Sequence, residues 1–541
     1  MDYVQEAVNR IHPNFQELNH TVLQYAQNPD NRRTILGYAA AGALTYYVAS
    51  TVYKVFVPPK KLRQIPRPSQ YDWMKSLIQK SSPSDRARQL LIPLIEEHGL
   101  CLKYQHGEWI ILIADYDKLK PFLKDTTTFP KKMLFFNSDF SLAKDPNILG
   151  ANKEDWKRQR KVANPAFHRK MPIETFGRVT TTVFSVLDSQ STPYPDVASV
   201  TRRWALDCIG LGGFSFDMGS VSNPMSKYSV IYNDAFAILR DPIQFLFPSF
   251  GKLPASWFAY RRKAVKASDQ LRQLLTEIIE KRKNEVLQLR QQGEDVDSHS
   301  KDLLTMLIEA NLNDEDEKVF MTDSELISNL SIFYAAGHEV SLTSTITTAN
   351  AVSSMLYYLA THPDIQTKLR QEVISIMGDA PEDIIPTDEQ LRQMTFLECC
   401  IKETMRINPP TSGNQLRFAA KDTTLGDFFI PEGTNMQMDL WILHHMDKYW
   451  KDPDTFNPYR FDSKSADYVD TTWMPFGSGE RICIGMNFSL AEQRVMHAMF
   501  VRKYIYSLPQ NSIHSEGMIN AKATIGFFGP DVLELQLQRR Y

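Results

Sequence analysis

"FGSGERICIGMNFSLAEQRVMHAMF", residues 476–500, sets one cysteine and one arginine among three glycines, ahead of a long run whose apolar residues recur at helical spacing. That spacing predicts a helix beginning near Met486. Cys483 then stands at the helix mouth, where free backbone N–H groups and the helix dipole stabilise an anion, so the sequence predicts a thiolate there. Gly477, Gly479 and Gly485 allow conformations closed to other residues and let the backbone approach a flat ligand closely. Arg481 alternates with the cysteine and supplies a cation for an acidic group on the same ligand.

The rest of the chain narrows what such a loop can serve. Its 541 residues carry a formal net charge of -2. The basic residues are scattered through helical patterns, which gives no field to attract nucleic acid. The five cysteines, Cys101, Cys208, Cys399, Cys400 and Cys483, lack the paired spacing of a zinc or disulfide framework and fit a reducing compartment. Adjacent Cys399 and Cys400 lie in a helical pattern and read as small buried apolar side chains.

One segment departs from a soluble composition. "ILGYAAAGALTYYVASTVY", residues 35–53, has no charged residue and is about long enough to span a bilayer as a helix. It begins too far into the chain and lasts too long for a cleaved signal peptide. Lys54, Lys60, Lys61, Arg63 and Arg67 follow it, against Arg32 and Arg33 before it, and this asymmetry orients the C-terminal body toward the cytosol. The expected organisation is therefore a lumenal tail over 1–34, a single transmembrane anchor over 35–57, a proline-rich basic connector over 58–70 and a catalytic domain over 71–541. The alternative, a buried helix of the globular body, fits poorly with the stiff "PPKKLRQIPRPS" that follows. A lumenal tail makes Asn19, in "NHT", a weak glycosylation match.

Helical patterns dominate from about residue 151, and strand-like stretches such as "GEWIILIA" are short, so the fold class is mainly α with a smaller β region. "TDSE" makes a capping box of Thr322 and Glu325, and the pattern then continues to Pro363. Roughly 40 residues at about 1.5 Å each would cross a large domain as a central strut. Its polar interruption, "GHE" at 337–339, is costly in a buried helix and is a site candidate. A second box, Thr395 with Glu398, is expected to open "FLECCIKETMRIN". There Glu403 and Arg406 share a face, by default as a surface pair of little value, although apolar neighbours admit a buried structural pair.

A thiolate with no second cysteine or histidine at metal spacing points to a metal whose other ligands come from a macrocycle, a haem held by cysteine. A cysteine in a glycine-rich turn alone also fits a purely structural role. The full pattern decides: Phe476, Gly479, Arg481, Cys483 and Gly485 match F-x-x-G-x-R-x-C-x-G, and the chain resembles the cytochrome P-450 family. "KETMR" resembles the family's E-x-x-R, "FNPYRF" its P-x-R-F with Arg460, "EDWKRQR" its W-x-x-x-R with Trp156 and Arg160, and "AAGHE" its oxygen-binding stretch.

The resemblance implies a P-450 fold with a long central helix, preceded by the membrane anchor. It implies iron protoporphyrin IX with Cys483 as axial thiolate and Phe476 shielding the sulfur. Trp156, Arg160, Arg481 and Arg417 are expected at the propionates, with Glu403, Arg406 and Arg460 as scaffold. The implied activity is a monooxygenase that inserts one atom of O2 into an apolar small molecule, a terpenoid or polyketide of secondary metabolism, with fatty acid or sterol behind. No G-x-G-x-x-G follows a strand, so electrons from NADPH must arrive through a membrane-bound reductase, with cytochrome b5 as a second donor, at the endoplasmic reticulum. Histidines 444 and 445 need no metal role.

The sequence departs from the family at "AGHEVS". Glu339 is the expected acid of the proton relay, but Val340 replaces the usual threonine, and Ser341 is turned about 100° away along the helix. An isomerase, dehydratase or peroxide-using enzyme, or a non-catalytic haem protein, is the alternative. The expected pocket lining is the loop near 135–150, Phe333, Ala336, 411–415 and 525–528.

Overall fold

The computed structural model describes residues 29–79, 81–105, 107–132, 142, 145–168, 170–237, 253–292, 301–312, 320–337, 347–413, 416–465, 468–469, 472–520 and 528–541. Asn19, Glu339, Val340 and Ser341 lie outside the described residues, as do 414–415, 525–527 and most of 133–144.

The chain divides into two units, Met1–Arg63 and Gln64–Tyr541. In the first, helix α1 (Pro29–Phe56) starts six residues before the expected anchor segment and covers it to its last residue but one. Tyr38, Tyr46, Tyr47, Val48, Val52, Tyr53 and Phe56 are exposed along it. Thr45 and Thr51 donate their hydroxyls to the carbonyls of Ala41 and Tyr47, one turn back. Among the described residues, no helix is long and apolar enough to cross a membrane. The segment lacks charge, but its alanine, glycine, threonine and tyrosine content dilutes its apolarity.

The second unit is mainly helical. A four-stranded sheet, β1 (Leu100–Gln105), β2 (Glu108–Ile113), β3 (Arg417–Phe418) and β4 (Asn435–Met438), has the order β1-β2-β4-β3. β1 runs antiparallel to β2, β2 parallel to β4, and β3 antiparallel to β4 with Arg417 opposite Met436. β2 is the "GEWIILIA" stretch, and its buried residues run without alternation because both faces are covered. Asp115 then caps α2 (Tyr116–Lys124) by accepting from the Lys118 N–H.

The helices that frame the site are α3 (Lys153–Phe167), α4 (Ile173–Ser189), α5 (Val197–Phe214), α6 (Ala259–Gln291), α7 (Asp323–Gly337), α8 (Thr347–Thr361), α9 (Pro363–Met377), α10 (Thr395–Ile407) and α11 (Met486–Lys503). α8 is buried around nearly its whole circumference, as a core helix must be, and packs against α5, α10 and α11. Its serines are satisfied across those interfaces: Ser353 with Thr201 at 2.8 Å and Ser354 with Asn408 at 2.9 Å. A ribbon of β5 (Tyr504–Ser507) and β6 (Gln536–Arg539) closes the C-terminal end.

The Thr322–Glu325 capping box is present, with reciprocal bonds of 2.9 and 3.1 Å. The central pattern is described as α7 and α8, with residues 338–346 between them outside the described set. The second capping box is absent. Thr395 makes no cap, and Glu372 of α9 instead accepts from the Phe396 and Leu397 N–H groups at 2.7 and 2.9 Å. Glu398 turns to Lys402 and Arg494.

Candidate active site

The loop that carries Cys483 is held by its own backbone. Gly477 donates to the Met474 carbonyl at 2.9 Å, and Cys483 donates to the Phe476 carbonyl at 2.9 Å, folding the intervening residues back on themselves. Gly477 and Gly479 adopt φ of 76° and 74°, a region other residues enter at a cost. A Cβ at Gly479 would also press on the Leu123 carbonyl at 3.3 Å. Gly485 differs from expectation: its φ is -84°, open to any residue, so it is not needed for a left-handed turn.

Behind the loop lies a buried charge cluster. Glu403 accepts from Arg406 Nε at 2.7 Å and Nη2 at 2.8 Å, from Arg460 Nε at 3.1 Å and from the Asn457 N–H at 2.8 Å. Glu403 and Arg406 are fully buried, which corrects the surface-pair default. Arg406 also donates to the His444 carbonyl at 2.9 Å, and His444 Nε2 accepts from the Met474 N–H at 3.1 Å. Burial, with Arg406 nearby, lowers the His444 pKa to about 3, so the ring is neutral and serves as an acceptor. This chain of bonds runs from the cluster to the segment that starts the cysteine loop.

The structure gathers all six sequence-predicted cofactor residues, Trp156, Arg160, Arg417, Phe476, Arg481 and Cys483, on one cavity of about 340 Å³. Arg481 lies over the Trp156 ring at 4.0 Å and donates to the Ala151 carbonyl at 2.7 Å. Arg160 donates to the Ile482 carbonyl at 3.1 Å, and Arg417 to the Phe122 carbonyl at 2.9 Å. Burial lowers the pKa of all three, Arg481 to about 9 and Arg417 to about 10.

Sequence reasoning missed a fourth cation on this wall. Lys131 lines the cavity with its amine on the Leu149 carbonyl at 3.1 Å. Burial, then Arg481 and Arg417, lower its pKa to about 7.

The thiol also departs from the sequence expectation. Cys483 opens into the cavity but lies deep within the protein, and burial raises its pKa. The Gly485 backbone N–H, Arg160 and Lys131 pull the other way without prevailing. The helix-mouth position is therefore real, with α11 starting at Met486, but desolvation outweighs it. Cys399 and Cys400 are buried as expected, Cys101 and Cys208 are buried too, and the described residues contain no cluster of metal-binding side chains.

The donor set can be tested against a macrocycle. Among the described residues, Arg481 Nε and Nη1 and Arg417 Nε are buried with no hydrogen-bond partner, in a wall of four cations. Two carboxylates on the rim of a flat ligand would satisfy them, while a central metal would take the thiol sulfur. The residues fit a haem. Apolar Ile148, Leu149, Phe167, Ile209, Ile332 and Phe333 line much of the rest, beside the polar Thr347, Thr348, Ser489 and Glu492. Of the expected pocket residues, Ile148, Leu149, Phe333, Thr411 and Gly413 are there, Ser412 and Phe528 are not, and the side chain of Ala336 lies outside the described residues.

This fold and site define a haem-thiolate oxygenase. The cytochrome P450 family profile matches residues 66–520. The chain is similar to cytochrome P450 3A12 of Canis lupus familiaris, 27% identical over 476 residues that cover 81% of this chain and 89% of that protein. It is also similar to cytochrome P450 4F3 of Rattus norvegicus, 27% identical over 489 residues covering 87% and 90%. A fungal relative, cytochrome P450 monooxygenase 205 of Postia placenta, is 25% identical over 516 residues covering 87% and 91%. The chain belongs to the cytochrome P450 family. As a member it is a monooxygenase that uses haem with a cysteine thiolate ligand and an electron donor such as NADPH through a reductase.

Proposed function

We propose that the protein oxygenates an apolar small molecule, a terpenoid or polyketide scaffold of secondary metabolism, while anchored by α1 in the endoplasmic reticulum membrane. The observation that carries the substrate class is the apolar lining of the cavity beside Cys483. Cys483 would hold the haem iron through its sulfur, and Phe476, on the same cavity, would shield that sulfur from water. Trp156, Arg160, Arg481, Arg417 and Lys131 hold the propionates and orient the group. Glu403, Arg406 and Arg460 fix the loop without touching the reacting atoms. When bound, the haem supplies reductive activation of dioxygen, one atom entering the substrate and the other leaving as water.

The organisation proposed is a lumenal tail over 1–34, an anchor over 35–57, a connector over 58–70 and a cytosolic catalytic domain over 71–541. The exposed aromatic and β-branched side chains of α1 and the internally bonded hydroxyls of Thr45 and Thr51 support a helix immersed in lipid. The membrane-bound reductase, with cytochrome b5 as a second donor, delivers the electrons. Glu339, with Ser341 one position beyond Val340, is proposed for proton delivery on the central helix.

The test is product formation by full-length enzyme in vesicles with purified reductase and NADPH, using extracts co-expressed with the neighbouring biosynthetic genes as the substrate source. A product with one added oxygen that requires reductase supports the reading. Turnover that proceeds without reductase, dioxygen or peroxide overturns it in favour of an isomerase or dehydratase.

A further inference from the structure

A second cavity, of about 470 Å³, lies where the chain enters α7, the helix whose later turns bring Phe333 to the haem cavity. Its volume is in the range of small-molecule sites. Its described walls come from α6, the helix Leu303–Leu312 and residues 320–326, and none of these lining residues belongs to the haem cavity. The floor is apolar: Ile279, Ile308, Met321 and Leu326 are buried, and Leu312 and Phe320 complete it. Phe320 leaves 41% of its surface exposed, an apolar area that an occupant would cover.

The polar lining residues are of two kinds. Asn311 is spent on the wall, since its amide donates to the Met321 carbonyl and its oxygen accepts from the Met321 N–H, both at 2.9 Å. Thr322 is engaged with Glu325 in the capping box. Lys283 and Asp323 are held more loosely: both are exposed at the rim, 3.5 Å apart, an ion pair too long for a good hydrogen bond. Their charges cancel. A rim without net charge above an apolar floor favours a neutral apolar molecule, and one hydroxyl on it would accept from Lys283 Nζ while donating to the Asp323 carboxylate.

The same wall is tied to the helix that holds the haem residues. Arg158 Nη1 donates to the Phe320 carbonyl, and the guanidinium lies 5.9 Å from the Phe320 ring. Its two terminal nitrogens also donate to Glu325 at 3.0 and 2.5 Å. Arg158 stands on α3 between Trp156 and Arg160, which line the haem cavity. At about 100° per residue, a two-residue step turns the helix by roughly 200°, so α3 faces the haem cavity on one side and the Phe320 segment on the other. We propose that this cavity is a second binding site, for a neutral apolar molecule carrying one hydroxyl group, and that its occupancy is transmitted to the haem-holding helix α3 through Phe320 and Arg158. Such a site stands whichever substrate the enzyme oxygenates.

The experiment uses loaded full-length enzyme and equilibrium dialysis of labelled adamantanol, a rigid neutral alcohol, with adamantane and adamantane carboxylate as its hydroxyl-free and anionic counterparts. The wild type should bind one more molecule of the alcohol per haem than Leu312→Trp, which fills the second cavity from its wall. Lys283→Met, a change at an exposed side chain, should weaken that extra site about 2- to 10-fold, the worth of one hydrogen bond. Adamantane should show a similar loss on the wild type, and the carboxylate should bind more weakly than the alcohol. Transfer of haem to an apo-acceptor protein, which needs no turnover, should slow about fivefold as the extra site fills, the low end of coupling between sites. Arg158→Met should abolish the slowing and keep the extra molecule.

A stoichiometry that Leu312→Trp leaves unchanged overturns the site. Equal affinity for the alcohol after Lys283→Met, or equal binding of adamantane or the carboxylate, overturns the ligand class. Haem transfer that ignores the extra molecule overturns the transmission. If Leu312→Trp fails to load, Lys283→Met decides alone, and unchanged affinity for every bound molecule refutes the site. If Arg158→Met fails to load, Leu312→Trp decides the route: slowing of its haem transfer by the alcohol, as in the wild type, would place the effect in the catalytic cavity and refute the second.

Discussion

Substituting Glu403 by glutamine probes the scaffold behind the cysteine without touching the cavity. The carboxylate is fully buried and receives four donors, three of them from two guanidinium groups. Glutamine keeps the volume but leaves Arg406 and Arg460 without their counter-charge in a dry site. Breaking a buried pair this way costs about 3–5 kcal/mol, against about 0–1 kcal/mol for an exposed pair. With an unfolding entropy near 2.1 cal/mol/K per residue over a unit of roughly 480 residues, that corresponds to a drop in Tm of about 3–5 °C. The loss should reach the cysteine through Arg406, the His444 carbonyl, the His444 ring and Met474. The assay is calorimetry of the loaded enzyme together with the reduced carbonyl spectrum. The variant should melt lower and show less of the red-shifted, thiolate-type band. A Tm within about 1 °C of wild type and an unaltered spectrum would refute the claim that the cluster supports the loop.

Gly479→Ala places a side chain at φ 74°, costing about 1–2 kcal/mol, and presses on the Leu123 carbonyl; haem per protein after purification should fall, measured by absorbance. Lys131→Met should weaken haem retention, whereas Lys132→Met, which breaks a partly exposed pair with Glu108 away from the cavity lining, should not; transfer of haem to an apo-acceptor protein separates the two. His497 is buried with neither ring nitrogen partnered among the described residues, and burial lowers its pKa to about 3. Between about pH 6.5 and pH 3 the unfolded chain therefore binds a proton that the native state does not, and stability falls as pH falls through that window. His497→Leu should flatten this part of the stability profile, and an unchanged slope in denaturant titrations would count against it.

Much of the site is legible because its chemistry is local. The glycines, arginine and cysteine of residues 476–485 stand within a single turn-and-helix entry, and the three-residue spacing of Glu403 and Arg406 puts them on one helix face. What fails are judgements that depend on depth or on a distant neighbour. Thr395 and Glu398 repeat the pattern of Thr322 and Glu325, yet Glu372 of a neighbouring helix reaches the same N–H groups and displaces the box. Lys131 and Lys132 are chemically identical in sequence. One turns into the cavity and the other to Glu108, and the distinction comes from the antiparallel bridge between Lys131 and Arg417.

The thiol shows how these two kinds of information combine. A helix mouth favours an anion by a few tenths to about one kcal/mol at an exposed site, whereas burial penalises charge far more steeply, and here burial sets the direction. The same burial crowds Lys131, Arg160, Arg417 and Arg481 onto one wall, where Arg160, Arg417 and Arg481 make Lys131 harder to charge and Arg160 and Arg417 do the same to Arg481. Left to the polypeptide, the sulfur is held toward its neutral form and, among the described residues, no carboxylate pairs directly with the four cations. A ligand that is metallic at its centre and acidic at its rim relieves both costs at once, since the metal takes the sulfur as thiolate and the carboxylates meet the cations. The glycine loop and the Glu403 cluster matter because they hold sulfur and cations in place against that unfavourable electrostatics, so scaffold and site are parts of one device.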